Sequence, residues 1–277
     1  MFLDRHRAPS RGAAGTYIEP RAGLASRAVL LRVALIAGFA ALWLFCARLA
    51  EVDLIRLIEG LPRLAQWAAR AWPPFLGDLD AFLLRAAETL AIAFVGTTIA
   101  AAAALPLSIL VGRNVTPFPA LGAAVRALID ALRGIDTVIF ALLFVAAVGL
   151  GPFAGVLGMI VHTIGVLAKL NAEAIETIPA APLDAAAMTG ANQAKIVSLV
   201  VLPSVMPTLT SHALYLFEAN VRTSTVLGIV GAGGIGIEIK AAIDLLDFSK
   251  LLTLSVIVVV MVAAIDRASA ALRRRLV

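Results

Sequence analysis

Apolar residues run along this chain in long blocks, and the polar residues gather in the breaks between them. The first block, Val29 to Leu49, has the length of a helix crossing hydrocarbon about 30 Å thick, which takes about 20 residues. It is too long for a signal-peptide core and no convincing cleavage site follows it, so it predicts an uncleaved first span. From Glu51 to Trp72 the pattern turns amphipathic. Leu54, Leu57, Ile58, Leu61, Leu64, Ala68 and Trp72 recur at helical spacing, while Arg56, Glu59, Arg63, Gln66 and Arg70 fill the opposite stripe. Such a helix suits the membrane interface over residues 51–72, with Pro62 bending it and Trp67 and Trp72 at headgroup level. Capping of a bundle's outer end and a solvated linker are the two roles open to it.

Later blocks predict more spans. One runs from near Thr89 to Val111 and ends at the turn Gly112-Arg113-Asn114. After Pro117 and Pro119 a helix restarts with Arg126, Asp130 and Arg133 on one polar stripe, leading into the apolar run Thr137 to Leu150. The break Gly149-Leu-Gly-Pro152 turns the chain into a span over Phe153 to Leu170, where Lys169 can snorkel. Pro203 to Val230 follows, containing Glu218, Asn220 and Arg222, and Leu251 to Ala264 precedes Arg267 and Arg273-Arg-Arg275. About six spans make an all-α, polytopic transmembrane bundle with both termini on one side. The arginines of the N-terminal tail, Arg113, Lys195 and the C-terminal cluster put that side in the cytoplasm, although Arg56, Arg63 and Arg70 lie in the outer segment. Residues 1–28, rich in Arg, Gly and Pro, are expected to be a flexible cytoplasmic tail, and 29–277 the membrane domain.

Composition agrees: 61% hydrophobic and 15% charged residues leave too little polar surface to solvate a 277-residue globule. The net charge of +5 does not point to nucleic acid, because the arginines fall in tails and between spans. Cys46 is the only cysteine, which excludes an intrachain disulfide and reads as a packing residue. His6, His162 and His212 lack metal-ligand spacing, and no nucleophile elbow or phosphate-cradling Lys motif is present. No catalytic residue, metal site or cofactor of its own is expected, and without a P-loop the chain does not hydrolyse ATP.

The connection from Asn171 to Pro203 is long enough to need structure and a task of its own. Ala172 to Ile178 and Pro182 to Thr189 read as two short helices parted by Pro179, with Asp184 in the first turn of the second. Gly190 supplies a left-handed stop, and Asn192 or Gln193 opens the next helix, giving a compact knob. Asp184-Ala185-Ala186, Gly190 and Leu202-Pro203 then stand at the spacing that resembles the signature loop of ABC importer permeases. Asp184 stands where that family usually has the longer Glu. Glu218-Ala-Asn220-Val-Arg222-Thr223-Ser224, continuing to Gly231-Ala-Gly233-Gly234-Ile-Gly236, is similar to the phosphonate-importer type, as are Leu105-Pro106 and Ala141 to Gly155. The likeness begins near Val29. Gly134-Ile-Asp136 departs from it, since the family more often has a proline there.

The resemblance implies a type I ABC importer permease fold in a bacterial inner membrane, forming the translocation path for phosphonate, phosphite or phosphate. It also implies a second copy of the chain, a dimeric ATPase that binds ATP and Mg and grips residues 171–203, and an extracytoplasmic binding protein. Another small polar solute is the alternative cargo, and a membrane enzyme acting on lipid-linked phosphate is the alternative class. The glycines also satisfy a dinucleotide-binding template, but no second strand follows them, and an irregular backbone passage at membrane depth fits better. Arg222, with Asn220, Thr223 and Ser224, offers donors to an anion; equally, Glu218 and Arg222 stand four apart and can pair with each other.

Overall fold

The computed structural model describes residues 10–11, 17–18, 27–116 and 118–276. The chain divides into two compact units, Met1–Leu64 and Ala65–Val277. In the first, Ser10–Arg11 pairs antiparallel with Tyr17–Ile18, and helix α1, Arg27–Leu49, has none of its span buried. Cys46, expected to pack, is therefore exposed on an apolar helix surface. The rest of the predicted tail lies outside the described residues. Helix α2, Leu54–Arg70, contains Pro62 and carries the amphipathic stripe at the predicted place. In the second unit Trp67 stacks on Phe248 at 5.4 Å, and the Ser249 hydroxyl donates to the Arg70 carbonyl.

The second unit is all helical among its described residues. Its elements are α3 (Leu79–Val111), α4 (Pro119–Gly134), α5 (Thr137–Val148), α6 (Pro152–Glu176), α7 (Ala180–Met188), α8 (Gln193–Ile196), α9 (Leu202–Leu227), α10 (Gly236–Asp244) and α11 (Phe248–Leu276). Five helices are long and apolar enough to cross a membrane, and six spans result if α4 and α5, bent by 88° at their junction, form one broken span. The bend falls at Gly134-Ile-Asp136. No proline is needed there, because Asp136 caps α5 by accepting from the Val138 N–H at 2.8 Å. His162 of α6 bonds through Nδ1 to the Ile135 carbonyl, which the break has left without a helical donor.

The centre is α3 against α6, with α4 and α5 on one side and α9 on the other. Small residues allow the close approach that helix pairs use in lipid: a Cβ at Gly158 would lie 2.6 Å from the Ala141 nitrogen, and one at Gly165 would lie 2.8 Å from the Arg133 nitrogen. Ionic contacts tie the α4 stripe down. Arg126 donates to the Val111 carbonyl and to Glu176, each at 2.7 Å, while Lys169 lies 3.8 Å from Asp130 and 3.7 Å from Glu173.

Three element boundaries differ from the sequence expectation. α3 begins at Leu79, ahead of Thr89, because Phe82 and Ala86 extend its buried stripe despite Arg85 and Glu88. α6 continues through Glu176, since Ala172, Ala174 and Ile175 stay buried, so no separate helix starts at Ala172. The helix expected to open at Asn192 or Gln193 does so, but it does not stop at Leu202-Pro203: it runs on into α9, which leaves α7 and its two hinges as the whole projection.

Candidate functional site

α7 stands between Pro179 and Gly190. Pro179 sits at its N-cap, so α6 cannot continue into it, and Gly190 at φ +79° takes the left-handed conformation that only glycine adopts readily. Asn192 then caps α8 by accepting from the Lys195 N–H at 3.0 Å. Asp184 lies at the middle of α7 and not in its first turn, because the helix starts at Ala180 ahead of Pro182. The helix has two faces. Leu183 and Ala186 pack on a core cluster of Val115, Ile175, Ile196 and Val201, while Asp184, Ala185 and Met188 are exposed.

Leu202 and Pro203 follow a π turn at Val197–Val201. Pro203 has no N–H to give its fourth preceding carbonyl, and the Leu202 N–H bonds five residues back, to Val197. Leu202 is half-buried and Pro203 exposed, so of the six signature residues Ala186 alone packs through its side chain on the cluster beneath α7.

The second feature is the seam between α9 and α11. Ser204, Thr208, Ser211, Tyr215, Ala219 and Arg222 recur at steps of three and four residues, so they share one face of α9, and that face is exposed or half-buried along its length. The opposite face holds Val205, Leu209, Leu216, Asn220 and Leu227 in the core. Near the middle of α3 and α6, and in the C-terminal third of α9, the Asn220 amide donates to Thr97 Oγ1 at 2.8 Å and to Thr163 Oγ1 at 3.1 Å, closing a buried polar knot among the three helices. Arg222 stands at nearly the same depth on the other face.

Glu218 and Arg222, expected as possible partners of each other, each find a partner on α11 instead. Arg222 Nη1 lies 3.5 Å from Asp266 Oδ1, and Arg273 Nη2 lies 2.7 Å from Glu218 Oε1. Asn220, Ser224 and most of Glu218 belong to the packed interior, whereas Arg222 is exposed and Thr223 half-buried. The hydroxyls of Thr223 and Ser224 donate to the carbonyls of Ala219 and Asn220. Sequence reasoning missed Asp266 and Arg273, which sit where a span was expected to be ending.

The glycine run closes the far end of α9. Gly231, Gly233 and Gly234 all have left-handed φ, and a Cβ on Gly233 would lie 2.7 Å from Pro152 Cα. Gly236 has no such torsion but packs against backbone, since a Cβ added there would run into the Thr225 carbonyl oxygen. The loop is tied in at two points: the Ile235 N–H donates to Thr89 Oγ1 at 2.8 Å and the Gly151 N–H to the Gly231 carbonyl at 2.9 Å. Beside it an open cavity of about 530 Å³ is lined in part by Arg85, Glu88, Gly151, Gly231 and Lys240. The run is therefore a packed turn between helices, with no βαβ unit around it among the described residues.

Comparison with known proteins agrees with this architecture. Residues 104–277 match the family described as the binding-protein-dependent transport system inner membrane component. HtxC of Stutzerimonas stutzeri, assigned as a phosphite transport system permease protein, is 46% identical over 241 residues, covering 87% of this chain and 84% of its own. The phosphate-import permease protein PhnE of Mycolicibacterium smegmatis is 44% identical over 209 residues, covering 75% of this chain and 39% of the relative. Among solved structures, the inward-facing MetNI methionine ABC transporter aligns with a TM-score of 0.64 and 25% identity over 73% of this chain and 100% of the matched chain. The chain thus belongs to the binding-protein-dependent transport system inner membrane component family, as an ABC importer permease with several spans in the inner membrane.

Proposed function

We propose that the chain is the membrane subunit of an ATP-driven importer of a small phosphorus oxyanion, phosphite, phosphonate or phosphate, and that the exposed face of α9 lines the path. The observation that carries this is Arg222, half-exposed level with the middle of α3 and α6, on a face it shares with Ser204, Thr208, Ser211, Tyr215 and Ala219. An arginine at the centre of a span facing lipid costs about 2.5 kcal/mol or more, so such a face belongs against protein or water. The exposed faces of α1 and of α11, at Val256, Val259 and Val260, are apolar by contrast and suit lipid. A phosphorus oxyanion entering a low-dielectric passage loses hydration, and a guanidinium fork offsets that loss with paired charged hydrogen bonds. Names of relatives that carry phosphite and phosphate support the cargo class.

Two copies of the chain would enclose the path between their α9 faces. The outward side of α7, with Asp184, Ala185 and Met188, docks on a dimeric ATPase, which binds the ATP and Mg, while Gly190 and Pro203 set the angle of the knob. Both termini and α7 lie on the cytoplasmic side, and a binding protein delivers the anion at the glycine-loop end. Nucleotide at one end and the loaded binding protein at the other bias one two-state bundle. Arg222→Gln is expected to abolish phosphite uptake while the permease still co-purifies with its ATPase; uptake at the wild-type rate would refute the path assignment.

A further inference from the structure

We propose that Asp266 is a resident counter-ion of Arg222 which the passing anion must displace, so that this pair limits how long the anion is held; the proposal rests on α9 lining the path. The pair is loose. Arg222 Nη1 and Asp266 Oδ1 are 3.5 Å apart, and Asp266 Oδ1, buried as an atom, accepts no hydrogen bond among the described residues. The Arg126–Glu176 and Arg273–Glu218 pairs are closer, both at 2.7 Å, although Glu218 Oε1 is likewise buried without a hydrogen bond and the Arg85–Glu238 pair is as long, at 3.5 Å. The side chains of Arg222 and Asp266 are 51% and 44% exposed, so an anion reaching Arg222 from the open side meets a guanidinium only partly engaged.

The physical need is release. A lone arginine in a water-poor passage would hold a phosphorus oxyanion through two charged hydrogen bonds, and conduction requires binding weak enough to leave. A carboxylate on the neighbouring helix competes as an intramolecular ligand at high effective concentration, with no diffusion step. One turn away on α9, the Arg273–Glu218 contact holds α9 and α11 together. The Arg222–Asp266 pair can therefore open and close without parting the helices. Asp266 acts through Arg222 and is a positioning residue.

The test uses the whole transporter, permease with ATPase, reconstituted in lipid. Equilibrium binding of radiolabelled phosphite is measured without the binding protein, and uptake is measured with it. Asp266→Asn and Asp266→Thr are expected to bind phosphite about tenfold tighter and to turn over more slowly, since a competing charge is gone. Asp266→Glu, which keeps the charge, is expected to restore release. Binding and turnover equal to wild type in both neutral variants would overturn the proposal. So would failure of both to assemble with the ATPase, which would make Asp266 structural. If Arg222→Gln abolishes uptake while the Asp266 variants are silent, this inference fails and the path survives; if Arg222→Gln transports normally, both fall.

Discussion

Asn220 and Arg222 are two residues apart on α9 and do opposite jobs. Asn220 is buried and satisfied by Thr97 and Thr163, while Arg222 faces outward with only a loose partner. Replacing Asn220 by Ala leaves two threonine hydroxyls without their shared donor, and the expected loss is about 1–3 kcal/mol of stability. Thermal denaturation of the purified permease in detergent measures it, and an unchanged midpoint would show that the knot contributes nothing. Both residues were legible as polar interruptions of an apolar run. Their partners were not, because Thr97, Thr163 and Asp266 lie on other helices and no periodicity links positions so distant in sequence. Asp266 was further masked by Arg267 beside it, which made the pair resemble the charged end of a span.

At the scale of the element, α7 is the clearest case of sequence and structure agreeing on a motif and differing on its detail. Pro179, Gly190 and Asn192 marked its hinges correctly because each has a backbone requirement that sequence shows directly. The α6 boundary was misread because alanine-rich residues after Leu170 carry no strong signal of burial. Which face of α7 is free was also illegible, since its residues are nearly all small and apolar. The structure separates them, so Ala185→Trp is expected to abolish co-purification with the ATPase while the permease keeps its thermal stability. Ala186→Trp is expected to lower that stability by about 1–3 kcal/mol through overpacking. Equal behaviour of the two would contradict the assigned faces. A Cβ at Gly190 would meet nothing within 4 Å, so Gly190→Val acts through its φ of +79° alone. A backbone strain of about 1–2 kcal/mol should tilt the knob and weaken ATPase binding in a pull-down, whereas wild-type retention would mean the hinge angle is immaterial.

On the scale of the whole molecule, length and apolarity made the spans countable, and the one ambiguous crossing is the pair α4–α5, whose 88° bend no hydropathy pattern encodes. What sequence could not distinguish is a lipid-facing exposed surface from a water-facing one. Both consist of residues outside the core, and the distinction emerges only when Ser204, Thr208, Ser211, Tyr215 and Arg222 align on one side of α9. On that alignment rests the proposal that α9 walls the path, and thiol accessibility tests it directly. In a Cys46→Ser background, single cysteines are placed at Thr208, Ser211 and Tyr215, and at Val259 and Val260 on the apolar face of α11, in the transporter assembled with its ATPase in lipid. A membrane-impermeant maleimide is expected to label the three α9 positions, phosphite to slow the labelling, and the α11 positions to stay unlabelled. Absence of labelling along α9, or equal labelling of both helices, would contradict it.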